Sequence, residues 1–276
     1  MLEVRAIASE KNLIFLSPHY DDVALTWGGY LDSLRRTDLL QAKRVKVIHV
    51  FSRSIYQVRD HAGNRDLSDA RIQYATGIRL IEDLNCLDDL LGQGRYAYEI
   101  LGERECILRA REWKKGEEFE FPQGTQATFN AEEKEIFARL KAGFLDLLRQ
   151  QDSAVFVPLC IKEHIDHVMV RDAVIESVEK LGTGCRARIY FGEDQPYAGL
   201  ASKEDWATAQ ALIDALKLEA LDYPVEMKTK VDRVMKFYPS QVEESYRKGL
   251  LQRSQQLDGG RSDGAGMERI YRWNRP

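Results

Sequence analysis

Two short apolar runs in this chain end in the same abrupt way. Leu13-Ile14-Phe15-Leu16 stops at Ser17-Pro18-His19-Tyr20-Asp21-Asp22, and Val155-Phe156-Val157 stops at Pro158, shortly before His164-Ile165-Asp166-His167. A short run of apolar residues without alternating polar positions is the signature of a strand buried on both faces. Such strands sit inside parallel sheets, and a parallel sheet needs a crossover, usually a helix, between successive strands. Helical patterns do follow both runs, at 24–34 and 166–180.

The same alternation continues along the chain. Strands are expected at 12–17, 44–51, 154–158 and 186–191, with a short one at 218–225 that Pro224 would confine to a sheet edge. Helices are expected at 68–84, 131–150, 203–216 and 227–237, the second of these fixed by Asn130 as cap with Glu133 three residues on. The stretch 88–104 fits neither pattern. Residues 116–130, rich in Glu, Gly, Thr and Gln, read as a surface excursion, and 259–266 as a flexible stretch before a C-terminal tail. The expected architecture is therefore α/β: a single Rossmann-like three-layer domain over 1–276, its mainly parallel sheet covered by helices on both faces.

With 44% hydrophobic and 30% charged residues, the chain has the balance of a water-soluble protein. A formal net charge of −4 leaves no basic footprint for nucleic acid. No apolar run approaches the roughly 20 residues that span a bilayer. The first residues lack a basic-then-apolar leader pattern, so a cytoplasmic location is expected. Cys86, Cys106, Cys160 and Cys185 form no CxxC pair, and free, mostly buried thiols are expected, with Cys160 close to the second cluster.

Three of the five histidines fall in the two clusters. Ligands in open α/β sheets bind beyond the carboxyl ends of the strands, where both clusters lie. Two imidazoles and a carboxylate make a three-ligand cation site that leaves a position for water. Side chains three residues apart at the start of a helix face the same way. That selects His19, Asp22 and His167 as ligands, with Asp21 left as a general base. A protonated His164, held in its tautomer by Asp166, would stabilise the developing oxyanion. The competing reading makes Asp21, Asp22 and Asp166 simple helix caps. His49, inside a strand, reads as a hydrogen-bonded core residue, and His61 as a solvated loop residue.

The segments around these clusters resemble the signatures of a known family. Leu16-Ser17-Pro18-His19-Tyr20-Asp21-Asp22-Val23-Ala24-Leu25, followed by Gly28-Gly29, is similar to the PHPDD signature of PIG-L/LmbE-like deacetylases. His164-Ile165-Asp166-His167 resembles their HxDH signature. Tyr190-Phe191-Gly192-Glu193-Asp194-Gln195-Pro196-Tyr197-Ala198, Tyr238-Pro239-Ser240-Gln241 and Glu268-Arg269 resemble weaker later marks, so the likeness covers most of the chain.

The resemblance implies a zinc-dependent de-N-acetylase, with Fe2+ or another divalent ion as an alternative metal. Its partner would be a small-molecule amino-sugar substrate of the N-acetylglucosamine type. It implies the roles already given to His19, Asp21, Asp22, His164 and His167. It also implies that Arg79, in Arg79-Leu80-Ile81-Glu82, helps hold the sugar; the alternative is a surface arginine paired with Glu82 or Asp83. The chain departs from the family pattern at Tyr20, Val23, Lys162 and Glu163, which bears on the sugar accepted. Two other functions stay open: a metal-dependent amidase for a non-sugar N-acyl intermediate of secondary metabolism, and a non-catalytic sugar- or nucleotide-binding module. In the latter, the carboxylates after the first strand would repel phosphate.

Overall fold

A computed structural model describes residues 7–109, 129–259 and 266–274. Its centre is one seven-stranded sheet. In chain order the strands are β1 (Asn12–Ser17), β2 (Arg44–Arg53), β3 (Tyr96–Arg104), β4 (Ser153–Pro158), β5 (Arg188–Gly192), β6 (Leu218–Val225) and β7 (Gly266–Trp273). They lie in the order β3-β2-β1-β4-β5-β7-β6. The first five run parallel, and β7 pairs antiparallel with both β5 and β6. The eight helices described are α1 (Gly28–Arg36), α2 (Asp69–Leu91), α3 (Ala131–Leu148), α4 (Ile165–Leu181), α5 (Tyr197–Leu200), α6 (Lys203–Leu216), α7 (Met227–Phe237) and α8 (Glu244–Asp258).

The unbroken apolar runs are accounted for by the two cores. Successive side chains of β1 point to opposite faces. Ile14 and Leu16 join Val155 and Val157 in a core closed by Phe137 and Leu140 of α3 and Val170 and Val174 of α4. Leu13 and Phe15 join Phe156 in a second core, closed by Leu31 and Leu34 of α1, Leu87 and Leu90 of α2 and Val231 and Val234 of α7. Helices thus cover both faces, as expected. Asn130 caps α3 in a reciprocal capping box with Glu133. All four cysteines are buried and none is in a disulfide among the described residues.

Several boundaries differ from expectation. The helix expected at 24–34 begins as a fully buried π-helical turn, Val23–Trp27, and continues as α1 to Arg36. The ambiguous stretch 88–104 divides between the end of α2, which runs on to Leu91, and the edge strand β3. Helix α8 and strand β7 were not expected as such. The excursion expected at 116–130 lies outside the described residues except for Phe129 and Asn130, as does 260–265. No helix among the described residues is long and apolar enough to cross a membrane.

Candidate metal centre

The strand order reverses direction between β1 and β4, and that crevice is where an open α/β sheet binds its ligand. The Ser17–Asp22 and His164–His167 segments leave the carboxyl ends of these two neighbouring strands. The folding of the sheet therefore brings residues about 147 positions apart into contact, as in the His19–Asp166 pair.

The loop after β1 is held tightly. Ser17 Oγ donates to the His19 carbonyl at 2.6 Å, and His49 Nδ1, from the facing position on β2, lies 3.2 Å from the same oxygen. His49 is fully buried, with Nε2 3.0 Å from Asp83, so it is the core residue expected. His61 is exposed in the loop before α2. The Asp22 carboxylate accepts the His19 N–H at 2.7 Å and makes no side-chain cap on the following turn. The simple capping reading of Asp22 is thereby replaced. At the second cluster it is the His164 imidazole that caps α4, accepting the Asp166 N–H at Nδ1, 3.2 Å away.

Three donor atoms converge on one point. His19 Nδ1 is 3.4 Å from Asp22 Oδ2, His167 Nε2 is 3.5 Å from the same oxygen, and the two nitrogens are 3.3 Å apart. Ligands about 2.0–2.1 Å from a shared tetrahedral cation stand roughly 3.4 Å from one another. The triangle therefore has the size of a tetrahedral site. His164 can also be grouped with His19 and His167 as a candidate cation set, but its ring centre is 5.0 Å from that of His19 and 5.1 Å from that of His167.

The outward nitrogens of both imidazoles in the triangle face acids. His19 Nε2 is 3.0 Å from Asp166 Oδ2, and His167 Nδ1 is 2.5 Å from Asp194 Oδ1. Such carboxylate–histidine pairs fix the tautomer and orientation of metal-binding imidazoles. Asp194 has no assigned role in the sequence reading, although the Glu193-Asp194 pair sits in the third family-like segment. Arg109 completes the support of Asp166, with Nη2 2.6 Å from Oδ1, and the Cys106 N–H donates to Oδ2 at 3.0 Å. The expectation for Asp166 is corrected in one respect. Its carboxylate serves His19 and Arg109, and only its backbone touches the His164 ring.

Electrostatics separates the four ionisable groups at the centre. Burial pushes Asp21 up to about 6, with the Asp22 charge adding to it and Arg79 opposing. Burial acts the same way on Asp22, but the His167 and His19 imidazoles outweigh it and hold the carboxyl well below its usual range. His19 and His167 are both raised, because their acidic partners overcome the cost of burial. His164 goes the other way: burial outweighs the Asp166 charge and pushes it well below its ordinary value. Nδ1 accepts the Asp166 N–H, which leaves Nε2 as the nitrogen that can carry a proton and speaks against the protonated His164 expected from the sequence.

Arg79 is buried and lines the same cavity, so the surface alternative is excluded. Its Nε donates to Gln241 at 2.7 Å and its Nη1 to Ser54 at 2.6 Å and Glu105 at 2.5 Å, while Nη2 lies 4.0 Å from Asp21 Oδ1. Glu82, the acid of the R-x-x-E element, binds Ser240 and Gln241 instead. The cavity is small, about 30 Å³, with Tyr56, Tyr197 and Tyr246 among its lining residues.

The loop between β4 and α4 is strained. Cys160, Lys162 and Glu163 have φ values of 69°, 69° and 51°, a region that costs a side-chain-bearing residue roughly 1–2 kcal/mol. The strain aims the Cys160 and Ile161 N–H groups at Asp194 Oδ2, 2.5 and 3.1 Å away, which anchors the acid behind His167. Lys162→Gly removes part of this cost without touching those bonds. We expect it to stabilise the fold by about 0.5–1 kcal/mol after the larger chain entropy of glycine is subtracted, seen as a higher urea midpoint at an unchanged slope. An unchanged or lower midpoint would show that the loop stores no such strain.

Comparison with protein-family models and with curated proteins found no match. Comparison with solved structures did. The zinc-inhibited form of teicoplanin deacetylase Orf2 is similar with a TM-score of 0.66 at 19% identity, over 96% of this chain and 100% of that one. An N,N'-diacetylchitobiose deacetylase from Pyrococcus horikoshii is similar with a TM-score of 0.51 at 17% identity, over 95% and 84%. GalB, a 4-carboxy-2-hydroxymuconate hydratase from Pseudomonas putida KT2440, has a TM-score of 0.52 at 13% identity, over 96% and 98%. The chain has the α/β fold of the LmbE/PIG-L-like deacetylases.

Proposed function

We propose that this chain is a divalent-metal-dependent de-N-acetylase of the PIG-L/LmbE-like family. Its substrate would be the N-acetyl amide of an N-acetylglucosamine-type sugar or conjugate. GalB has the same fold and another reaction, so the reading rests on the site. The observation that carries it is the 3.3–3.5 Å triangle of His19, Asp22 and His167, beside a base raised to about 6. The donor set of two imidazoles and one carboxylate suits zinc, and suits iron(II) as well.

A cation held by His19 Nδ1, Asp22 Oδ2 and His167 Nε2 supplies Lewis acidity and lowers the pKa of water. The chain's own groups do the rest. Asp21 takes a proton from water as its oxygen adds to the amide carbon. It returns the proton to the amine nitrogen as the C–N bond breaks, releasing acetate and the free amine. His164 donates Nε2–H to the carbonyl oxygen as negative charge develops there. Arg79, otherwise committed to Gln241, Ser54 and Glu105, holds Asp21 in place with its remaining nitrogen. That assigns it to positioning the base more than to gripping the sugar. Asp166 and Asp194 keep the two ligand imidazoles in register. Tyr56, Tyr197 and Tyr246 offer apolar ring faces with polar tips to a sugar.

The test is release of amine and acetate from N-acetylglucosamine, N,N'-diacetylchitobiose, N-acetylglucosaminyl conjugates and non-sugar N-acetyl amines, with metal content measured in parallel. Turnover of the sugars that follows metal content supports the reading. Turnover confined to non-sugar amides would support the amidase alternative, and no turnover by metal-loaded protein would contradict catalysis.

The raised histidines set a pH dependence. His19 and His167 must each give up the proton on the coordinating nitrogen, so protons compete with the cation below their raised pKa values. Metal affinity should therefore rise with pH through neutrality, by about tenfold per pH unit for each proton displaced, with proton release measurable in weakly buffered solution. A pH-independent affinity between pH 6 and pH 8 would contradict coordination by these imidazoles.

A further inference from the structure

On another wall of the same cavity Cys106 Sγ lies 3.9 Å from His164 Nε2. Asp166 offers a carboxylate oxygen, and the three donor atoms all lie within 4.8 Å of one another. A sulfur and a nitrogen sharing one tetrahedral zinc, at about 2.3 and 2.1 Å, stand roughly 3.6 Å apart. Cys106 and His164 need move only a few tenths of an ångström to share one. None of the three residues belongs to the His19–Asp22–His167 triangle. We infer that Cys106, His164 and Asp166 form a second cation position, selective for thiophilic divalent ions such as zinc or cadmium, and that filling it inhibits the enzyme. The inhibitory effect rests on the deacetylase reading; the binding of the ion does not.

The selectivity follows from the donors. A thiolate favours zinc and its heavier congener over magnesium, calcium or manganese. As the metal–sulfur bond forms, the thiol proton leaves to solvent. His164 Nδ1 is engaged by the Asp166 N–H, so the cation takes Nε2. That nitrogen is the one assigned to the developing oxyanion, so an ion there removes the donor. The ion also draws on Asp166, the acid that orients His19. Around the cavity Arg79 faces Asp21 and Glu105, Arg109 faces Asp166, and Asp22 adds a further carboxylate. A first divalent ion offsets this acidic excess, so a second gains less and fills at higher concentration.

The experiment uses the full chain, stripped of metal and titrated with cadmium, with bound ions counted and thiolate-to-cadmium charge-transfer absorbance recorded. Zinc inhibition is followed on samples holding one ion per chain, each variant being compared with its own activity. The wild type should take up a second ion accompanied by the thiolate band, and lose activity as zinc fills it. Cys106→Ser should stop at one ion, lack the band although Cys86, Cys160 and Cys185 remain, and lose its sensitivity to excess zinc. Cys106→Ala replaces it if the serine variant melts early. Uptake of a single ion without the band by the wild type, or a second ion retained by both variants, overturns the inference. If no amide is hydrolysed by any sample, the deacetylase reading has failed, and the ion counts and absorbance still decide the site.

Discussion

Asp21→Asn should lower kcat on an N-acetyl sugar by about 10²–10⁴-fold while leaving one cation bound per chain. The asparagine keeps the size of the side chain and loses only the capacity to take a proton. Asp21 lies outside the ligand triangle, and burial with Asp22 beside it raises it to about 6 in the metal-free chain. A bound cation lowers that value, so the acid limb of kcat/KM falls at or below pH 6, activity rising with pH as Asp21 loses its proton. In Asp21→Asn that limb should vanish. Full activity in the variant, with the limb intact, would move the base to another residue.

His167→Ala should abolish stoichiometric metal binding at the His19–Asp22–His167 centre and reduce deacetylation to background. Loss of an orienting acid behind a metal-binding histidine costs about 10–100-fold in affinity, and loss of the ligand itself should exceed that. The substitution also leaves Asp194 without the imidazole that faces it at 2.5 Å. The Cys160 and Ile161 N–H groups still hold that carboxylate, so the chain should fold with a stability loss of about 3 kcal/mol. Metal analysis after dialysis and a urea titration check both parts. One tightly bound ion retained by His167→Ala in a Cys106→Ser background, where the second position is disabled, would exclude His167 from the centre.

The parts of this molecule legible in the sequence are those with local causes. The runs around Phe15 and Phe156 are apolar at consecutive positions because two cores need them, which identifies central parallel strands. Asn130 and Glu133 mark a helix start because a capping box is made by residues three apart. Pro224 correctly restricted β6 to an edge, since an edge strand can spare one N–H. What escaped depends on partners distant in sequence. Strand β7 carries Glu268, Arg269 and Arg272 among its apolar residues, and these find their ion-pair partners on β6 and α7. Helix α8 holds Gly249 where a side chain would strike the Pro196 carbonyl, so a residue that weakens a helix marks a close crossing instead.

The site divides in the same way. Spacing within each cluster picks out His19, Asp22 and His167, because three residues make nearly a helical turn. Which acid stands behind which imidazole depends on the packing of β5 and of the segment after β3. Asp194 is marked only by its place in a family-like segment, Arg109 carries no local signal, and Asp166 serves the histidine of the other cluster. The protonation of His164 was also beyond spacing. Burial of the ring and a ring nitrogen spent on capping α4 both disfavour the imidazolium.

The most direct measurement is anomalous diffraction from crystals of the metal-loaded protein, collected on both sides of the absorption edge of the bound ion. The account places one strong peak within bonding distance of His19 Nδ1, Asp22 Oδ2 and His167 Nε2. A peak bonded to His164 in place of Asp22, or no peak in protein that hydrolyses its substrate, would contradict it.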